Sequence, residues 1–317
     1  MDYIDFMKDE AVSAFDRIFD GIKEVVLTDF PDHENVGDSA IALGELEYFR
    51  TRAIEVTKIY CVGTLYRGVY ASEIPVVIHG GGNFGGLYPA VENHRYSMAR
   101  NLSADTPLIQ APQSVHFVDD VSRQNFITHL ADRRNFRMGV RDNYSSSKIV
   151  DSLPDHIISP DAVHLLGQIQ AASPTQSTVI LARTDGESAA NREAVRKFGS
   201  VDWLEDYPWT RRQTLLRWKY RYLGRVGDWL NPNPARWEAI AQGRMDRGVG
   251  ILATGETIVT DRLHAMLIGL QMGRQVIAID NNNQKLSSYA DTWFGAANPD
   301  VRFVKSFEDA MDVVGMN

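Results

Sequence analysis

Residues 256–280 read ETIVTDRLHAMLIGLQMGRQVIAID. ETIVT is a short β-branched run that stops at Thr260, LHAMLIGLQM (263–272) has the length and apolar content of a buried helix, and QVIAID (275–280) is a second apolar run. Strand, helix and strand in such short order form a βαβ unit, the crossover that a parallel sheet requires. At the first junction stand Asp261, Arg262, Leu263 and His264. The opening N–H groups of a helix have no partner within it, and its dipole is positive there, so the junction favours an anion. Arg262 adds a planar fork suited to phosphate or carboxylate, and His264 can donate a proton nearby. A plainer reading makes Asp261 a helix cap paired with the arginine.

The same alternation extends upstream. EVVLTDF (24–30), AIEVTKIYCVG (53–63), IPVVIHGGGN (74–83), TPLIQAPQS (106–114), FRMGVRD (136–142) and HIISPDAV (156–163) are β-rich runs ending in small or polar residues. Helix-like stretches separate them, SSSKIVDSL (145–153) among them, and residues 3–20 carry apolar side chains at helical spacing. QIQAASPTQST (168–178) is polar and small, and STVILARTD (177–185) then restarts a buried strand. The predicted fold is α/β, with two Rossmann-like doubly wound domains over 1–172 and 173–317 and an insert at 202–237. Ligands of such sheets bind beyond the carboxyl ends of the strands.

A length of 317 residues suits two domains of about 150 residues. The net charge of −8 argues against a general nucleic-acid binder, which needs a basic footprint. One cysteine, Cys61, excludes a disulfide framework and fits a reducing cytoplasm. The start of the chain is acidic and amphipathic rather than signal-like, and no apolar run is long enough to span a bilayer. The eight histidines show no HxxxH or HExxH spacing, so no metal site is expected.

HGGGNFGG (79–86) follows the apolar PVVI. His79, Gly80, Gly81, Gly82 and Asn83 form either a tight turn or a loop whose backbone approaches a ligand. A lipase-type oxyanion loop would need a GxSxG elbow, which is absent. A dinucleotide fingerprint fits Gly80, Gly82 and Gly85 by spacing, but proline follows and no helix opens cleanly. In HENVGDSAIALGELEYF (33–49), Asn35, Gly37 and Asp38 precede a helix predicted from Ser39 onwards. Asp38 or Ser39 caps that helix, or the loop faces a ligand cleft at the strand's carboxyl end. Gln113, Ser114, His116, Arg141, Asp161 and Arg183 each fall where or close after a predicted strand stops.

Five of the six tryptophans lie between Trp203 and Trp237, and residues 209–225 carry six basic side chains and no acidic one. Aromatic rings with long basic chains suit an anionic bilayer surface or a lipid-linked diphosphate. They equally suit a homo-oligomer interface.

The ordered set NVGD, HGGGN, APQS, RD, SPDAV and DRLHA, from residue 35 to 265, resembles the polysaccharide pyruvyl transferase family. The resemblance implies a fold similar to two-lobed GT-B glycosyltransferases facing a cleft, with phosphoenolpyruvate as donor substrate and no separate cofactor. The acceptor it implies is a sugar of an exopolysaccharide precursor, and the aromatic and basic insert adds the expectation that this acceptor is lipid-diphosphate-linked and met at the cytoplasmic face of the inner membrane. The family's Arg-Leu-His motif matches Arg262, Leu263 and His264, and its first-half arginine matches Arg141. On that basis Arg262 and Arg141 are expected to bind the donor's anionic groups, and His264 to transfer a proton. Asp161 or Asp38 would activate the hydroxyl. The glycine loop with Asn83, Asn35 and Gly37 would line the cleft or acceptor side, with Gln113, Ser114, His79, His116 and Arg183 as further binding candidates. Two rivals stay open: a nucleotide-sugar glycosyltransferase and a non-catalytic scaffold of a polysaccharide assembly complex.

Overall fold

The computed structural model describes residues 2–183, 199–204, 215, 218–219, 222, 231–280 and 284–315. Two parallel sheets organise them. The first contains β1 (Glu24–Thr28), β2 (Glu55–Ile59), β3 (Val76–Ile78), β4 (Gly81–Phe84), β5 (Leu108–Val115), β6 (Phe136–Val140) and β7 (Ile157–Ile158). Its order is β2-β1-β3-β5-β6-β7, with β4 also paired to β5. The second contains β8 (Gln176–Leu181), β9 (Gly255–Thr260), β10 (Gln275–Ile279) and β11 (Val301–Val304) in the order β11-β10-β9-β8. Every ladder is parallel. Strands such as Val76–Ile78 are buried throughout, as a sheet covered on both faces requires.

Each sheet reverses its strand order once. In the first the reversal lies between β1 and β3. In the second, a bridge from Val201 to Leu181 places the chain on the far side of β8 before it returns through β9. Such switch points leave a crevice at the strands' carboxyl ends.

The predicted strands and the 263–272 helix stand where expected, and three details differ. The glycine run is not a loop: Gly81 and Phe84 pair with Gln113 and Val115, so it continues β3 after a break at His79–Gly80. Pro112 has no N–H for the ladder, and the β5–β6 register slips between Gln110 and Gln113 to accommodate it. The helix predicted from Ser39 starts at Val36 and is capped by Asn35, whose Oδ1 accepts the Gly37 N–H at 3.1 Å. Neither Asp38 nor Ser39 is the cap.

Helix α1 (Tyr3–Ile18) lays Met7, Ala11, Phe15 and Ile18 into the core, each large apolar side chain contributing about 1.5–3 kcal/mol. Helix α2 (Val36–Thr51) is buried on nearly every side, because the 3-10 turn Ala162–Leu166 and the long helix Pro234–Ala253 both press on it. Glycines permit the approach: a Cβ on Gly44 would meet the Ala162 carbonyl oxygen at 1.9 Å, and one on Gly248 would meet Val36 at 2.3 Å. The largest apolar cluster therefore runs without a break from α1 and α2 to the helices beneath the second sheet.

Of the aromatic insert, Trp203 and Trp237 are core residues, not surface ones. Trp218 and Tyr222 are exposed and stacked at 5.8 Å. Most of 209–225, including Arg211, Arg212 and Arg217, lies outside the described residues. Among the described residues, no helix is long and apolar enough to cross a membrane.

Candidate active site

The carboxyl ends of both sheets open on one cavity of about 380 Å³. From the first sheet it receives Asn35, Asp38, Gly82, Asn83 and Arg141, and from the second Arg183, Trp203, Arg262, Leu263, His264 and Lys285. Four cationic side chains thus converge within an acidic protein.

Arg141 follows β6 and is 1% exposed. Its Nη1 donates to Asp161 Oδ2 at 2.5 Å, while Nε and Nη2 donate to Ser114 Oγ at 3.1 and 2.7 Å. The Trp293 indole donates to its carbonyl at 2.8 Å. A Cβ on Gly82 would stand 2.9 Å from Nη2, so glycine leaves room for the guanidinium.

Arg262 is 3% exposed. Its Nη2 donates to Asp202 Oδ2 at 2.6 Å, and the guanidinium lies 5.6 Å from the Trp203 ring centre. The plainer reading of this junction fails: Asp261 Oδ1 accepts from the Arg183 backbone N–H at 2.8 Å and does not cap the helix Leu263–Gln271.

His264 Nε2 lies 3.2 Å from Asp161 Oδ2. Asp161 is fully buried, and burial alone would raise its pKa. The charges of His264 and Arg141, with hydrogen bonds from His264 and the Val163 N–H, outweigh that and hold it well below the usual carboxylate range. An ionised Asp161 accepts, so Nε2 carries the proton and Nδ1 is the nitrogen left for chemistry. Nδ1 lies over Gly37, where a Cβ would stand 2.4 Å away. The NVGD glycine and the Arg-Leu-His histidine are thus two sides of one contact.

The remaining predicted residues divide. Asn35 donates to Asp38 Oδ2 at 2.8 Å, and Asp38 also meets His33 at 3.5 Å. Burial raises the Asp38 carboxyl, but His33, His264, His79 and Arg141 bring it below its ordinary value, so it is ionised. Asp161 lies behind His264 and Arg141 with both oxygens engaged, one of them accepting Val163 N–H at 3.0 Å. It is fully buried and outside the cavity lining. Gln113 is buried and structural, donating to the His79 carbonyl at 3.1 Å and accepting from Asn83 N–H at 3.3 Å. His79 and Gly80 are both bound by the buried Glu45, at 2.9 and 2.8 Å. His116 is exposed and outside the cavity lining, where the turn after β5 carries it away.

Sequence reading missed Asp202 and Lys285, whose Nζ donates to the Gly82 carbonyl at 3.2 Å, and assigned Trp203 to the aromatic insert rather than to this cavity. Lys285 follows strand β10, so the strand-end rule reached its neighbourhood. Asp202 and Trp203 stand in a stretch with no recognisable motif.

The sequence profile described as "Polysaccharide pyruvyl transferase" matches residues 35–283, from the NVGD loop through the Arg-Leu-His helix. The chain belongs to the polysaccharide pyruvyl transferase family. Pyruvyl transferase 1 of Schizosaccharomyces pombe is 31% identical over 304 residues, covering 88% of this chain and 72% of that protein. Bacillus subtilis EpsO, named as a candidate pyruvyl transferase, is 23% identical over 289 residues, covering 89% and 88%. A Klebsiella pneumoniae crystal structure of uncharacterised function shares the fold at a TM-score of 0.65 and 18% identity, over 95% of this chain and 99% of that one. This family member is accordingly an enzyme of pyruvyl transfer to polysaccharide.

Proposed function

We propose that two lobes, 1–172 and 173–317, face each other across this cavity in the GT-B manner and that the cavity binds phosphoenolpyruvate. The observation that carries the reading is the convergence of Arg141, Arg183, Arg262 and Lys285 beside His264. A phosphate and a carboxylate on one three-carbon unit need cations on two sides, and buried arginine forks supply them directionally.

The acceptor is a sugar with two neighbouring hydroxyls on an exopolysaccharide precursor. C3 of the enol takes a proton, delivered through His264 Nδ1, and C2 becomes electrophilic. One hydroxyl oxygen bonds to C2, the C2–O bond to phosphate breaks, and the second hydroxyl closes the ketal. Of the two hydroxyl protons released, one replaces that given to C3 and the other leaves on phosphate, so the step balances. Asp161 holds the imidazole and stabilises its cation without itself becoming protonated. Asp38 receives a hydroxyl proton in this scheme, a role supported by its position in the cavity lining.

Incubation with phosphoenolpyruvate and candidate glycans tests this: inorganic phosphate and a glycan mass gain of one pyruvic acid less water are expected. Release of a nucleoside diphosphate from a nucleotide sugar would favour a glycosyltransferase instead. No thermal stabilisation by millimolar phosphoenolpyruvate would favour the scaffold. The charge of 209–225 supports a lipid-diphosphate carrier at an anionic membrane. Unchanged liposome flotation after Arg211, Arg212 and Arg217 are made Glu would remove that part.

A further inference from the structure

The helix Lys285–Ala297 follows β10 of the second sheet, and one of its faces is turned to the first. Lys285, Tyr289, Thr292 and Trp293 stand at i, i+4, i+7 and i+8, the spacing of a single helical face. Each bonds to the main chain of the first sheet's strands or of the turns that follow them. Lys285 Nζ donates to the Gly82 carbonyl at 3.2 Å, and the Tyr289 hydroxyl accepts the Asp161 N–H at 2.9 Å. Thr292 Oγ1 accepts the Asn143 N–H at 3.1 Å, and the Trp293 indole donates to the Arg141 carbonyl at 2.8 Å.

The main-chain atoms gripped in this way belong to residues that build the site. Asp161 Oδ2 holds both Arg141 and His264, and Gly82 is the residue whose missing Cβ leaves room for the Arg141 guanidinium. Neither Tyr289 nor Trp293 lines the cavity, so any effect on a reactant there passes through Asp161 and Arg141. Tyr289 is fully buried. Burial first, and the Asp161 charge next, hold its phenol far above its ordinary pKa, so it stays neutral and offers the N–H an oxygen without a charge.

The first sheet cannot place these two residues by its ladder alone. The Ser159 N–H still bonds to the Val140 carbonyl, but Pro160 has no N–H, and the next donor, on Asp161, goes to Tyr289. Arg141 keeps the ladder through its N–H, which the Gln113 carbonyl accepts at 3.0 Å, while its own carbonyl is met by Trp293. The helix that supplies both partners is itself anchored. Asp280, directly after β10, accepts the Leu286 N–H at 3.2 Å and the Ser287 hydroxyl. A run of bonds therefore leads from the end of β10 to the arginine and the carboxylate of the first sheet.

We propose that Tyr289 and Trp293 are positioning residues of this site, Tyr289 setting Asp161 and through it the His264 imidazole, and Trp293 setting Arg141 for the donor's anionic group. The role of Trp293 rests on the cavity being the phosphoenolpyruvate site. That of Tyr289 needs only the contact between Asp161 and His264. Placement matters at this scale, since a misplacement of about 1 Å can cost about 10²-fold in rate.

Tyr289→Phe and Trp293→Phe each remove one polar atom and keep an aromatic ring in place. Two measurements on the full chain separate their effects. Nitrogen-15 NMR reads the exchange of the His264 Nε2 proton with solvent, without phosphoenolpyruvate, and calorimetry reads phosphoenolpyruvate affinity. Tyr289→Phe should speed that exchange about two- to tenfold, and Trp293→Phe should weaken phosphoenolpyruvate binding by about the same factor, the range set by loss of one neutral hydrogen bond. Melting curves establish that each variant is folded at the temperature of measurement. Trp293 is only half-buried, so Trp293→Phe decides for the helix if Tyr289→Phe does not fold. Unchanged exchange in a folded Tyr289→Phe overturns the assignment of Tyr289, and unchanged affinity in a folded Trp293→Phe overturns that of Trp293. A lowered melting temperature with both readouts unchanged marks the contacts as bracing alone and overturns the whole proposal. Should the wild type ignore phosphoenolpyruvate while the His264 exchange still depends on Tyr289, the positioning of Asp161 stands, and the donor reading falls together with the role of Trp293.

Discussion

Arg141 and Arg262 reach the cavity from opposite sheets, and they are held in different ways. Arg141 is fixed by two oxygens, Asp161 Oδ2 and Ser114 Oγ, and Asp161 Oδ2 also holds His264. Arg262 is fixed by Asp202, whose other oxygen accepts the Leu204 N–H at 3.2 Å, and by the Trp203 face. One carboxylate thus ties a cation of the first sheet to the imidazole of the second, while the other holds the Arg262 guanidinium. The difference separates two tasks. On the proposed reading, the Asp161 side couples donor binding to proton transfer, and the Asp202 side serves binding.

Removing the shared carboxylate tests that separation most severely. Asp161→Asn should lower kcat by roughly 10²–10⁴-fold, as loss of an imidazole's orienting acid does, and should also weaken phosphoenolpyruvate binding through Arg141. Steady-state kinetics checks both, with a melting curve alongside because a broken buried ion pair costs about 3–5 kcal/mol. A variant that loses affinity but keeps kcat would break the coupling. Gly37→Ala should come next. Its Cβ meets the imidazole first, at Nδ1, so kcat should fall about 10²-fold while the KM for phosphoenolpyruvate holds. Asp202→Asn should raise that KM about tenfold and leave kcat alone. If kcat fell with it, the second wall would share in the chemistry. Smallest of all, His116→Ala should change either constant less than about twofold, as surface substitutions do.

Much of this was legible because in a parallel sheet chain position and site position coincide. Ser114, Arg141, Arg183 and Arg262 were found by asking where apolar runs stop, and the cavity lies at those ends. The glycine strand was illegible for a physical reason: Gly81–Phe84 pairs through its backbone, and glycine has no side chain to announce a strand. His116 misled because the rule locates an end but not the direction of the turn that follows. The roles of Asp161 and Gly37 were hidden in another way, for each depends on His264, 103 residues away from the first and on a different helix from the second.

Helix α2 has a further consequence for traffic through the enzyme. Its first turn meets Gly248 through Val36, and its middle meets Ala162 through Gly44. Only the first of these contacts joins the two sheets' sides, and a jaw-like swing would open it and wet its apolar lining. Any swing of one sheet against the other therefore carries the cost of parting Val36 from Gly248.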